Sequence, residues 1–153
     1  MAKTKCGFDD IPGGARGVVL LVFHGPTLMV DVGFDHTFKS TEKRVPAAGI
    51  KGVSALVDTG ATESCIDSQL ATHLGLPIVD RRKISGSQGA HEVNIHLAQV
   101  HVPSLNTTLY GLFAGVHLAA GGQPHRALIG RTFLQHYTMV YEGRTGTVII
   151  SSE

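Results

Sequence analysis

Apolar positions fall in short runs, rich in valine and isoleucine and parted by glycine, proline and polar residues. Gly17–Phe23 and Thr27–Phe34 are two such runs on either side of His24-Gly25-Pro26, and the pattern predicts two strands joined by a turn. Residues 35–51 carry Lys39, Glu42, Lys43 and Arg44 together with Pro46 and Gly49, so they read as a long connection. Val53–Val57 is apolar and leads straight into Asp58-Thr59-Gly60, as a buried strand ending in a tight turn does. Ser64 and Asp67 then stand at capping-box spacing, Leu70 and Leu74 share a helical face, and Gly75 and Pro77 supply a stop, which predicts a short helix.

Further on, Arg82–Val93 predicts a hairpin whose tip is Ser85-Gly86-Ser87-Gln88-Gly89-Ala90. Val93, Ile95 and Leu97 alternate with Asn94 and His96, the period of a half-buried strand. Leu109–Val116 and Ala127–Ile129 read as further strands around a Gly-rich loop. Arg131–Tyr137 has room for one or two helical turns, and Met139–Tyr141 with Thr147–Ser151 bracket a last hairpin. The expected fold class is all-β with one or two short helices.

Composition supports that class and narrows the functions. The 19 glycines and the absence of tryptophan suit tight turns and short strands, and 153 residues suffice for one core without metal or disulfide staples. With 13 Lys and Arg against 12 Asp and Glu, and the basic residues scattered apart from Arg81-Arg82-Lys83, no nucleic-acid partner is expected. The first apolar run is too short for a signal segment or a membrane span, so no membrane association is expected either. Cys6 and Cys65 are the only cysteines; both are expected reduced, which points to the cytoplasm. His91, His96 and His101 recur every five residues and so alternate between the faces of a strand. The nine histidines are therefore read as mostly surface residues, with no metal and no cofactor.

Carboxylate-driven amide hydrolysis needs two acids sharing one proton, one to activate water and one to protonate the carbonyl oxygen. The chain offers Asp58 in Asp58-Thr59-Gly60-Ala61 after one apolar strand, and Leu128-Ile129-Gly130-Arg131 after another. This pair, with a Gly-rich hairpin between its members, resembles the retropepsin-like aspartic proteases over residues 27–151. The resemblance implies a small closed barrel, assembled as a symmetric homodimer, that acts as an endopeptidase on extended peptide or protein substrates. It assigns residues 27–153 to the protease domain and residues 1–26 to an N-terminal extension and first strand. A stand-alone chain of this length resembles bacterial or other cellular members more than viral ones.

Carried over by position, Asp58 is the catalytic carboxylate, Thr59 ties the two active-site turns across the dimer axis, and Gly60 lets substrate approach the backbone. Ala61, Ile84, Gly86, Ser87, Gln88 and Gly89 are the expected substrate contacts, all but Ala61 from the flap. Leu128, Ile129, Gly130 and Arg131 form the expected structural segment behind the turn. No second Asp-Thr-Gly or Asp-Ser-Gly occurs, so the partner carboxylate has to come from another copy. Viral relatives follow the alanine with two aspartates, the first of which pairs with the arginine. Thr62 and Glu63 stand here instead, with Glu63 the nearest expected partner for Arg131. The alternative function is a peptide-binding or dimerisation module that keeps the fold without turnover.

Overall fold

The computed structural model describes residues 1–86 and 89–153. In chain order the elements are β1 (Lys3–Lys5), α1 (Gly17–His24), β2 (Thr27–Gly33), β3 (Ile50–Val57), β4 (Cys65–Asp67), α2 (Ser68–His73) and β5 (Ile78–Gly86). They continue with β6 (Gly89–Val102), β7 (Thr107–Val116), β8 (Ala127–Ile129), α3 (Arg131–Leu134), β9 (Thr138–Glu142) and β10 (Thr147–Ser151). The larger sheet runs β2-β3-β8-β4-β7-β6-β5, and β2 also pairs with β6. That extra pairing closes six strands into a barrel and leaves β5 outside it, hairpinned onto β6. A second sheet, β1-β10-β9, joins the two ends of the chain.

The period-2 pattern decides which side chains fill the barrel. Leu28, Val30 and Val32 of β2, Ala55 and Val57 of β3, Val100 and Val102 of β6 and Ile129 of β8 are all buried, with polar or half-exposed residues between them. Each fully buried branched aliphatic stabilises the fold by about 1.5–3 kcal/mol. The core also holds Cys6, Val148 and Ile150, so the terminal sheet packs on the barrel. Burial pushes the Cys6 thiol up to about 11.

The strand expected at Gly17–Phe23 is a helix. Valine favours strands, yet no strand pairs with this segment; β2 has β3 along one edge and meets β6 only through Asp31–Gly33. The segment coils instead: the Gly17 N–H donates to Asp10 Oδ1 (2.7 Å), and Gly25, at φ 68°, returns its N–H to Leu21 O (2.9 Å). His24-Gly25-Pro26 is thus a helix stop, glycine supplying the left-handed residue. The other expected helix is present, but its cap is Asp67 and not Ser64. The buried Asp67 carboxylate accepts from Leu70 N (3.1 Å), and also from Leu118 N and Ala119 N.

Most of the histidines are exposed, as expected, and three of the nine, His96, His101 and His125, are buried. Each has found a hydrogen-bond partner: the carbonyl of Leu76 (3.1 Å), the hydroxyl of Thr108 (2.9 Å) and the carbonyl of His24 (2.7 Å). Among the described residues no three His, Cys, Asp or Glu side chains gather as metal ligands would, and no helix is long and apolar enough to cross a membrane.

The connection after β2 is long, as expected, and it is fastened down. The Asp35 carboxylate accepts from Ala47 N (2.9 Å), Arg44 Nη1 (2.8 Å), Thr37 Oγ1 (2.7 Å) and Thr37 N (3.0 Å). The buried Gln99 amide holds the Asp35 backbone at both ends. The Ala47 amide foremost, then Arg44 and Thr37, hold the Asp35 carboxyl well below the usual carboxylate range. A lowered folded-state value stabilises the fold above the unfolded value of about 3.9, and this contribution is lost as pH falls below it. Asp35→Asn is therefore expected to lower the melting temperature at pH 7, with the difference shrinking as pH drops from about 4 towards 2. A difference that stays constant over that range would assign the effect to something other than the carboxylate charge.

Candidate active site

The site is built where two distant segments lie side by side. β3 and β8 run parallel with Ala55 opposite Ala127, Leu56 opposite Leu128 and Val57 opposite Ile129. Asp58 therefore leaves its strand next to Gly130. The ladder continues past the strand ends: Asp58 N donates to Ile129 O (2.9 Å), Arg131 N to Ala61 O (2.8 Å) and Thr132 N to Thr62 O (3.0 Å). Within the turn, Gly60 N donates to Asp58 Oδ1 (2.8 Å) and Ala61 N to Asp58 O (3.2 Å). The carboxylate of Asp58 is half-buried, while Thr59 and Gly60 face solvent.

Gly130 is glycine because of space. A Cβ there would lie 2.6 Å from both the carbonyl carbon and the oxygen of Glu63, and 3.0 Å from Ala61 O. Its φ of −93° is open to any residue, so the close backbone approach sets the requirement. Its buried N–H donates to Ser64 Oγ (3.0 Å). Ser64, which sequence pattern assigned to a helix cap, is instead the acceptor that satisfies this crossing; the only signal for it was its place just after the turn.

Arg131 reaches across the same crossing. Its Nη1 donates to Thr59 O (2.8 Å) and its Nη2 to Thr62 Oγ1 (3.0 Å). The guanidinium fork thus holds the turn at two points. Glu63, the expected partner, is not the one used. Thr62, standing where viral relatives have their first aspartate, takes the contact with a hydroxyl, so the clamp persists without an ion pair. Leu128 and Ile129 lie on opposite faces of β8, half-buried and buried respectively.

The hairpin expected to act as a flap is formed by β5 and β6, with Ile84 opposite His91, Ser85 opposite Ala90 and Gly86 opposite Gly89. Gly89, at φ 97°, takes a backbone conformation that side chains disfavour. Ile84 is half-buried, Gly86 and Gly89 are exposed, and Ser87 and Gln88 lie outside the described residues. A groove of ≈ 610 Å³ lies at the Glu63 end of the site, lined also by Ser64, Phe113, Phe133 and Tyr137. Asp58 does not line it. Cys65 is half-buried; burial, then the charges of Asp58 and Glu63, push its thiol up to about 11, so it is no nucleophile near neutral pH.

Because Gly130 touches backbone on two sides, Gly130→Ala is expected to destabilise the protein by about 1–3 kcal/mol, read by chemical denaturation. The crossing would be relaxed enough to admit a side chain if the variant were as stable as wild type.

The chain matches the model of the family described as "gag-polyprotein putative aspartyl protease" over residues 48–136, more than half its length. None of the curated proteins matches it. Among solved structures it is similar to EIAV protease complexed with an inhibitor, at 18% identity and TM-score 0.42, covering 72% of this chain and 85% of that one. It is also similar to a retropepsin-like aspartic protease from Rickettsia conorii, at 12% identity and TM-score 0.46, covering 81% of this chain and 80% of that one. The matched segment begins just before β3 and ends just after α3, so it contains Asp58, the β5–β6 hairpin and the Gly130 crossing, and the chain belongs to this gag-polyprotein family of aspartyl proteases.

Proposed function

We propose that two copies of this chain form an aspartic endopeptidase, each contributing Asp58 to a dyad on the two-fold axis. The observation that carries this reading is a single half-exposed carboxylate on a turn whose backbone is fixed from behind by β8 and Arg131. One such carboxylate is half of a catalytic set, and the chain repeats no second Asp-Thr-Gly.

In the proposed reaction one Asp58 carboxylate takes a proton from water as the oxygen bonds to the scissile carbonyl carbon. The other, protonated Asp58 gives its proton to the carbonyl oxygen. The resulting tetrahedral diol collapses as the amide nitrogen accepts a proton from a dyad carboxyl. The ionised carboxylate takes a proton from a diol hydroxyl as the C–N bond breaks, which leaves a carboxylic acid and an amine and returns the dyad to its singly protonated state. Gly60 keeps the surface beside Asp58 low, which lets an extended peptide approach the turn. The β5–β6 hairpin, through Ile84, Gly86, Ser87, Gln88 and Gly89, closes over that peptide and pairs with it along the main chain. Thr59 reaches across the axis to the other copy's turn, and Ala61 lies against the substrate.

The alternative, a binding module of the same fold, gives no chemical reason for an acid at this turn. Asp58→Asn separates the two readings. The variant is expected to keep its fold and lose cleavage of denatured casein by on the order of 10⁴-fold or more, because acid and base are copies of the same residue. Cleavage by the purified variant near the wild-type rate would remove Asp58 from the reaction. A protein that binds peptide but leaves it intact, with Asp58 present, would favour the binding module.

Dilution supplies an independent expectation. Specific activity is expected to fall as protein concentration drops below the dimer dissociation constant measured by sedimentation. Full activity from a species shown to be monomeric would contradict a shared dyad.

A further inference from the structure

α1 has an unusual surface. Its sequence, Gly-Val-Val-Leu-Leu-Val-Phe-His, is apolar almost throughout, yet only Leu21 and Gly17 are buried. Val19, Val22 and Phe23, at helical spacing i, i+3 and i+4, form one stripe, with Val22 73% and Phe23 80% exposed. A helix apolar on all sides is normally covered, and no charged residue interrupts Gly17–Phe23. α1 also lies outside the segment matched by the family model.

The position of α1 says what covers it. Its C-terminal end is joined to the strand that carries Asp58: Val57 N donates to Pro26 O (2.8 Å), and Gly25 lies against Leu56 Cδ1. Its N-terminal end is wedged between Phe8 and Gly146, and His24 O takes the bond from the buried His125. The helix is therefore fixed at both ends, with one end a short step from Asp58. A two-fold axis that lets two Asp58 carboxylates share a proton runs beside Asp58, the residue that follows the Val57–Pro26 contact at this end of α1.

We propose that the Val19-Val22-Phe23 stripe of α1 is the surface on which the second copy seats. The inference rests on the shared-dyad reading and names the contact that assembles it. An uncharged stripe can pack against its own counterpart, or against the other copy's α1 end, without like-charge repulsion, as a two-fold contact requires. Phe23 supplies the large aromatic anchor typical of such interfaces. An extended substrate is a poorer occupant, because a helix turns its amides along its own axis and offers no strand edge to pair with.

The test uses the full chain with V22E/F23E and, to separate packing from charge, V22S/F23S, each checked by circular dichroism for wild-type fold. Sedimentation equilibrium is expected to show a dimer for wild type and a dissociation constant raised by about a hundredfold in both variants. Cleavage is expected to be lost at low concentration and recovered as concentration rises. Variants that dimerise like wild type overturn the proposal, whether they cleave normally or show only a raised KM, which would assign the stripe to substrate. In either case a cleaving wild type leaves the shared dyad standing. A wild-type protein that is monomeric at all concentrations yet cleaves overturns the dyad reading and this surface together.

Discussion

The rest of the structure depends on one backbone crossing, in which the peptide around Gly130 lies against the peptide from Ala61 to Glu63 with no side chain between them. Everything that makes Asp58 usable follows from that contact. Parallel pairing of β3 with β8 delivers the two segments in register, the Ile129 carbonyl fixes the Asp58 amide, and the Arg131 amide fixes the Ala61 carbonyl. Ser64 takes the one buried N–H that the crossing would otherwise leave unpaired, which would cost about 1–3 kcal/mol. The carboxylate thus sits on a turn whose backbone has few ways to move.

The same rigidity makes the single chain incomplete. A carboxylate held on a fixed turn cannot fold back to find a second acid in its own chain, so the proposed dyad takes its second member from another copy. The barrel closes through the β2–β6 pairing, which leaves β5 and the outer half of β6 as a projecting hairpin, and residues 17–24 form α1 outside the sheet. The molecular surface thus carries two features, a projecting hairpin and an apolar, largely exposed helix joined to the strand that ends at Asp58.

Much of this was legible in the sequence because it rests on local signals. Val53–Val57 before Asp-Thr-Gly, the alternation through Val93–Leu97, and Leu-Ile-Gly before a short helix each carry their own period or turn residue, and all became the expected elements. The failures came where tertiary context overrode a local preference. Gly17–Phe23 has the composition of a strand, but its helical start is fixed by Asp10, whose carboxylate takes the Gly17 N–H from outside the segment. Asp67 and Ser64 are equally good caps on paper; the crossing at Gly130 recruited Ser64 and left the helix to Asp67. Arg131 was expected to seek Glu63 by charge, whereas the geometry of the turn offered it a carbonyl and the Thr62 hydroxyl. The buried histidines were missed for the same reason, since their carbonyl and hydroxyl partners come mostly from other elements.

The central claim is that one reaction centre takes one Asp58 from each of two chains. Its most direct measurement is cleavage by two copies joined by a flexible linker into one polypeptide, with Asp58 intact in both halves or replaced by Asn in one. The account predicts that the intact tandem cleaves at a rate independent of dilution and that the singly substituted tandem is inactive at every concentration too low for tandems to associate with one another. A singly substituted tandem that retains half the activity under those conditions would show that each chain works alone, and would contradict the account.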